Sequence, residues 1–362
     1  MAEKALVAVS GGIDSAFACL LLQEAGYLLE CVFLHLCDHS RCCTPEGEGR
    51  ARRWADQWGI PFHSLEAHQR FLRLVIEQTI DAYRKGYTPN PCTLCNQWIK
   101  FGFLLDYARQ KGFRYLATGH YARIATDTGG VHHLLAAMDH SKDQSYMLYR
   151  LPQEALGNAL FPLGDWQKQE VILRMQSISP SWQEVPESQD LCFLPSGMTM
   201  ARFLAEAGLS NDPGPIVDQA GRFLGQHRGL LHYTLGQRKR IGLPGGPFFV
   251  LEMLPKQNTL VIGRRAEATR NWLVAEDVSW IAPHRPSQTF SCQAKIRYQQ
   301  PQVPVQVRLL EKNRIHVGFF SPQFAVTPGQ DLVLYQEQEV VGGGVIATLG
   351  PLDEPDSHWL GG

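Results

Sequence analysis

Any apolar run near the roughly 18 residues that a membrane-spanning helix needs is missing. The longest early stretch, residues 16–22, follows Gly11-Gly12 and Asp14, so no membrane partner is expected. Neither G-x-x-x-x-G-K-[ST] nor G-x-G-x-x-G opens the chain, which excludes a Walker loop and a dinucleotide fingerprint there. No H-x-x-H or H-E-x-x-H pair falls on a helical pattern, and His132-His133 beside Gly129-Gly130 reads as a hairpin rather than a metal site. Repeats and low-complexity tracts are also absent. Lys4 followed by residues 5–9 begins like a signal peptide, but Ser10-Gly11-Gly12 interrupts it before a full apolar region accumulates. The nine cysteines are odd in number and lack a framework spacing. They fit a reducing compartment, the cytoplasm, in which thiols act as reactants or metal ligands.

A bias of net charge is lacking too, since the chain carries only −1, yet the charge is unevenly placed. Residues 219–251 hold Arg222, Arg228, Arg238, Lys239 and Arg240 with no acid, and residues 283–320 hold six Lys/Arg against Glu311 alone. Two basic islands in an otherwise acidic chain point to a polyanion surface.

A chain of 362 residues, at roughly 100–200 residues per domain, contains two or three domains. Over its first 120 residues, short apolar runs (5–9, 29–36, 61–65, 115–118) alternate with helical patterns, the signature of a doubly wound α/β domain with a parallel sheet. From about Asn211 the pattern changes to Gly/Pro turns between short alternating runs. Val303, Val305, Val307 and Leu309 then alternate strictly, and further runs at 315–320, 332–335 and 345–348 predict a C-terminal β-barrel. The expected division is a catalytic domain over 1–205, a small β-rich connector over 206–280 and a barrel over 281–362.

The sharpest local signal is Ser10-Gly11-Gly12-Ile13-Asp14-Ser15, set between a buried strand and an amphipathic helix. Two glycines let the backbone approach an anion, the hydroxyls of Ser10 and Ser15 add donors, and the helix directs its positive end to the same place. A phosphate belongs there.

This S-G-G-x-D-S loop resembles the pyrophosphate (PP) loop of the ATP pyrophosphatase superfamily. Thr88-Pro89-Asn90-Pro91-Cys92-Thr93-Leu94-Cys95-Asn96, Ala117-Thr118-Gly119-His120-Tyr121, Lys142-Asp143-Gln144-Ser145-Tyr146, Gln189-Asp190-Leu191-Cys192-Phe193, Tyr233-Thr234-Leu235-Gly236-Gln237-Arg238 and Ala325-Val326-Thr327-Pro328-Gly329-Gln330 resemble, in this order, the signatures of the tRNA-specific 2-thiouridylases (MnmA family). The resemblance runs over nearly the whole chain. It implies an enzyme that adenylates C2 of a wobble uridine with ATP and Mg2+ and replaces the oxygen with sulfur, with tRNA and a persulfide or sulfide donor as partners. It assigns ATP to Ala8, Val9, Ser10, Gly11, Gly12, Ile13, Asp14, Ser15, Leu34 and Gly119. The target base falls to Asn90, Pro91 and Cys92, and tRNA to His120, Lys142, Asp143, Gln144, Arg297, Tyr298 and Gln330. Cys95 is implied as the nucleophile and Cys192 as the persulfide carrier, the two forming a disulfide as sulfur leaves.

Thiols suit that step because a thiolate is nucleophilic near neutral pH and can carry a persulfide sulfur. Many members of the family have an acid where this chain has Cys92. Cys92, Cys95 and Cys192 thus make a three-thiolate set able to hold a [4Fe–4S] cluster with one iron open, while a metal-free persulfide route and a zinc half-site stay open as alternatives. Cys37, Cys42 and Cys43 are left without a role. The competing functions are an amidotransferase-type adenylating synthetase and a non-catalytic, metal-stabilised RNA-binding protein.

Overall fold

The computed structural model describes residues 2–37, 44–179, 182, 191–195, 197–282 and 286–350. Cys42, Cys43, Gln189 and Asp190 lie outside them.

The N-terminal sheet is parallel throughout: β1 (Lys4–Val9), β2 (Leu28–His35), β3 (Phe62–Glu66), β4 (Tyr115–Thr118) and, after a hairpin, β7 (Ala159–Leu160) pair in the order β3-β2-β1-β4-β7. Ala5, Leu6 and Val7 are fully buried, as continuous apolar runs are in a sheet covered on both faces. Helix α1 (Ile13–Glu24) buries Ala16, Phe17 and Cys19, and the Phe17 ring meets the edge of Trp166 at 5.0 Å. Because β2 lies on one side of β1 and β4 on the other, the crevice beyond the carboxyl end of β1 is the switch point at which such sheets bind ligands.

Two helical runs differ from plain α-helices. Residues 68–84 and 91–110 each contain a π-helical stretch, over Leu72–Ile76 and Cys95–Leu104. Widened turns of this kind are rare and concentrate at functional sites, and the second one begins at a candidate catalytic cysteine.

The expected hairpin forms between β5 (Ala122–Thr126) and β6 (His132–Ala136). The connector is a four-stranded sheet of β8 (Gly214–Val217), β9 (Phe223–His227), β10 (Phe249–Leu254) and β11 (Thr259–Gly263), with Ile216, Val250, Leu260 and Ile262 in its core. At the C-terminus β12 (Thr269–Trp280), β13 (Thr289–Lys295), β14 (Val303–Leu310), β15 (Arg314–Phe324), β16 (Asp331–Gln336) and β17 (Glu339–Leu349) close a six-stranded antiparallel barrel, in the order β12-β15-β14-β13-β16-β17 and back to β12. The barrel therefore begins at Thr269, ahead of the expected boundary at residue 281. Its first strand escaped notice because its register is interrupted at Arg270/Trp272, Val274/Ala275 and Glu276/Ser279, and such bulges break the period of two by which strands are read.

The barrel is not a detached module. Ile281, Val333, Tyr335 and Val340 belong to the same apolar core as the N-terminal domain, and Ala136 N–H donates to Gln338 O at 2.7 Å.

Candidate active site

The phosphate loop leaves β1 and enters α1 with Gly12 as the N-cap residue, which makes no side-chain cap hydrogen bond. The amide end of the helix is thus left to a ligand. Gly11 adopts φ +75°, and a Cβ there would sit 2.2 Å from Gly47 O, so neither the conformation nor the space admits another residue. Arg50, on helix α2 (Pro45–Gln57), donates from Nε to Gly11 O at 3.3 Å and braces the loop from behind. The Ser15 hydroxyl accepts from Ser10 N–H (3.3 Å) and donates to Gly12 O (3.0 Å), tying the loop to itself.

Asp14 is the charged centre. Lys168 Nζ donates to both its oxygens at 2.7 and 2.8 Å, and the Tyr121 hydroxyl donates to Oδ1 at 2.8 Å. Lys168 is buried, with its own N–H bonded to Asp139 Oδ2 at 2.9 Å. Gly119, directly after β4, touches the loop closely enough that a Cβ would lie 3.0 Å from Ser15 N. Leu34, near the end of β2 and buried, is on the same carboxyl edge of the sheet. The ATP assignments therefore converge on the switch point. Lys168 and Arg50, which lie in none of the sequence motifs, join them, as does Tyr121, which lies in one but had no role assigned.

Asn90 caps the second helical run, its Oδ1 accepting from Cys92 N–H at 3.2 Å, and Pro91 occupies the first turn. There Pro fits without losing a hydrogen bond. Cys92 is half-buried and Cys95 buried. Burial pushes the Cys92 thiol up from its usual range; Lys100 acts in the opposite direction and Asp331 adds to the rise. His120 is buried between Thr118 Oγ1, 2.7 Å from Nδ1, and Lys100 Nζ, 3.2 Å from Nε2. Burial first, and the Lys100 charge second, hold its pKa well below the usual histidine range, so the neutral ring donates from Nδ1–H to Thr118 and accepts from Lys100.

Other expected tRNA contacts take part in the frame. Asp143 is buried, accepting from Ala137 N–H, Ser145 N–H and Lys295 Nζ (3.1 Å). Gln144 bonds the Tyr121 backbone in both directions. Lys142 lies in the same turn, its N–H on Asp139 O. Gln330 donates to Thr88 O at 2.7 Å. Arg297 directs Nη2 to Ala325 O, Thr327 Oγ1 and Leu235 O, bracing barrel against connector, and burial lowers its pKa. The half-buried Tyr298 has its ring 6.2 Å from Tyr146, and both Cys92 and Asp143 act electrostatically on its hydroxyl.

Cys192 lies in the turn after Leu191, anchored by Phe193, whose ring packs 5.4 Å from Phe203 and 6.3 Å from Phe71. The three-thiolate centre expected for a [4Fe–4S] cluster or zinc is not formed. Among the described residues no group of three or more Cys, His, Asp or Glu side chains is placed to hold a metal ion. Cys92 and Cys95 are fixed by the helix they begin, while Cys192 is held in a separately anchored turn. Cys92 and Cys192 are free thiols. No helix among the described residues is long and apolar enough to cross a membrane.

Family comparisons follow the same three parts. The profile described as the tRNA methyl transferase HUP domain matches residues 3–196, that of the tRNA methyl transferase PRC-barrel domain 201–264, and that of the aminomethyltransferase beta-barrel domain 270–346. The tRNA-specific 2-thiouridylase MnmA of Chloroflexus aggregans is 44% identical over 350 residues, covering 94% of this chain and 98% of that protein. Its namesake from Roseiflexus castenholzii is 40% identical over 367 residues, covering 95% and 99%. Among solved structures, the U34-tRNA thiolase NcsA from Methanococcus maripaludis with its [4Fe-4S] cluster is 17% identical over 56% of this chain and 62% of its own, with a TM-score of 0.36. With the two nearly full-length relatives and a profile spanning more than half its residues, the chain belongs to the tRNA-specific 2-thiouridylase (MnmA) family of the PP-loop superfamily.

Proposed function

We propose that the protein is an ATP-dependent tRNA uridine 2-sulfurtransferase that converts the wobble uridine to 2-thiouridine in the cytoplasm. One observation carries this reading: a phosphate loop at the sheet switch point and a helix whose first turns hold Cys92 and Cys95 are built into the same core as the barrel. The relatives named 2-thiouridylases, matched over nearly the whole chain, support the substrate.

Residues 1–205 supply ATP and sulfur chemistry, the connector carries exposed Arg222, Arg228, Arg238, Lys239 and Arg240 toward phosphates, and the barrel braces the cysteine helix. Backbone N–H groups of the loop hold the ATP phosphates. Asp14 offers the carboxylate that Mg2+ takes alongside substrate phosphates, and the ion, when bound, neutralises charge on the phosphates. The uridine C2 oxygen attacks the α-phosphorus, forming an O–P bond as the bond to pyrophosphate breaks.

The sulfur step is read on the thiols that the chain supplies, Cys95 on the helix and Cys192 in its turn, which have to approach each other for the exchange. The terminal sulfur of a Cys192 persulfide bonds to C2 as the C2–O bond to AMP breaks, its proton passing to solvent. The Cys95 thiolate then attacks Cys192 Sγ and breaks the S–S bond. Sulfur stays on the uridine and a Cys95–Cys192 disulfide results, which an external dithiol reduces.

The test is 2-thiouridine formation with a persulfide donor by Cys92→Ser, Cys95→Ser and Cys192→Ser proteins, with iron measured per chain. Activity retained in Cys92→Ser and lost in the other two supports the thiol route. Equal loss in all three, together with loss of iron, contradicts it.

A further inference from the structure

The barrel reaches into the active site through one buried acid. Asp331, the first residue of β16, is 3% exposed, and its carboxylate is surrounded by donors from the N-terminal domain. Oδ2 accepts from Thr93 Oγ1 at 2.7 Å and from Asn90 Nδ2 at 2.9 Å, while Oδ1 accepts from the Tyr149 hydroxyl at 2.9 Å. The Asp331 backbone carbonyl accepts from the Tyr146 hydroxyl at 2.6 Å. Arg150 donates from Nε to the Tyr149 oxygen at 2.9 Å, placing a positive charge behind that hydroxyl.

The residues just before Asp331 hold the same stretch. Thr88 N–H donates to Pro328 O at 3.0 Å, and Gln330 Nε2 returns a bond to Thr88 O. Gly329, at φ +90°, lies so close that a Cβ would be 2.7 Å from Thr88 N. One loop of the barrel thus holds residue 88, the cap residue Asn90 and, midway between the two cysteines, Thr93.

Burying a carboxylate is costly unless it is fully bonded. An apolar residue at the start of a barrel strand would pack there without that cost, so stability alone gives no reason for an acid. Its bonds, however, fix the rotamer of Asn90, whose other atom caps the Cys92 N–H, and of the buried Thr93.

We propose that Asp331 is a positioning residue for sulfur transfer: through Asn90 and Thr93 it sets the placement of the turn bearing Cys92 and Cys95, making the sulfur step more dependent on the barrel than adenylation is. The inference rests on the sulfurtransferase reading above. The phosphates of ATP are assigned to the loop at 10–15, which Asp331 does not touch, whereas both cysteines lie on the turn that it holds. A misplacement near 1 Å of a reacting group costs on the order of 10²-fold in rate.

The test compares wild type, Asp331→Ala, Asp331→Asn and Thr93→Val in full-length protein, each assayed with tRNA for pyrophosphate released in the first turnover, which reads adenylation, and for 2-thiouridine formed with a persulfide donor. Asp331→Ala is expected to release first-turnover pyrophosphate within about fivefold of wild type while thiolation falls about 10²-fold. Asp331→Asn keeps an acceptor for Thr93 and Asn90 and is expected to restore thiolation to within about tenfold. Thr93→Val, which retains the buried carboxylate and loses one bond, is expected to lower thiolation about fivefold with first-turnover pyrophosphate release within about twofold of wild type. Thiolation in Asp331→Ala and Thr93→Val equal to wild type would overturn the proposal, as would parallel loss of both steps in Thr93→Val and Asp331→Asn. A wild-type protein that releases AMP but makes no 2-thiouridine would instead refute the functional reading beneath it.

Discussion

Lys168→Met removes the only cation bonded to both oxygens of Asp14 among the described hydrogen bonds. The Lys168 side chain is 8% exposed and that of Asp14 34%, so the pair lies between two regimes. Removing one partner of a fully buried pair costs about 3–5 kcal/mol, and an exposed pair contributes about 0–1 kcal/mol; about 2 kcal/mol is appropriate here. If Lys168 serves to aim Asp14 at the metal and phosphates, that loss appears in the transition state for adenylation, about 30-fold in kcat/KM for ATP at about 1.4 kcal/mol per decade. Tyr121→Phe deletes a single neutral donor to the same carboxylate and is expected to cost about fivefold. Since both side chains act on one carboxylate, the double variant should depart from additivity. The assay is AMP release against ATP concentration, with urea unfolding in parallel. Unchanged kcat and KM in Lys168→Met, whether or not stability falls, would refute the assignment of Lys168 to the ATP site.

Gly11→Ala meets Gly47 O at 2.2 Å and should reduce AMP release by two orders of magnitude or more while leaving tRNA affinity in a filter-binding assay intact. Charge reversal at exposed Arg238, Lys239 and Arg240 should flatten the salt dependence of tRNA binding by about one log–log unit per lost phosphate contact. Arg297→Leu, whose guanidinium faces backbone carbonyls, should lower stability by roughly 1–3 kcal/mol with the salt slope unaltered. For His120 the folded pKa lies below the unfolded value of about 6.5, so in the interval between them only the unfolded chain takes up the proton. Its contribution is complete above about pH 6.5 and is lost as pH falls toward the folded value; His120→Asn should flatten that part of a stability–pH profile measured by urea unfolding.

The phosphate loop was legible because its glycines, its acid and its place between a strand and a helix are local properties of six consecutive residues. The parallel sheet was equally legible, since strands buried on both faces leave continuous apolar runs such as residues 5–9. Bonds across the chain leave no such mark. Lys168 meets Asp14 over 154 residues of separation, Tyr121 meets it over 107, and Asp331 meets Thr93 over 238. Strand β12 was hidden by its bulges. Arg297 was expected at tRNA from the family resemblance, and only the fold shows the guanidinium turned toward carbonyls, a direction that neither a motif nor a basic island encodes. The C-x-x-C spacing is visible in the sequence, but that it opens a helical run at Pro91, and where Cys192 is anchored relative to it, are not encoded by spacing.

The central claim is tested most directly by incubating the purified wild-type protein with ATP, Mg2+, unmodified tRNA and a persulfide donor, and counting AMP and 2-thiouridine in the same reaction. The account predicts AMP release that requires tRNA, and one AMP per 2-thiouridine formed at the wobble position when the donor is present. AMP release indifferent to tRNA, or tRNA-dependent AMP release without any 2-thiouridine, would contradict it.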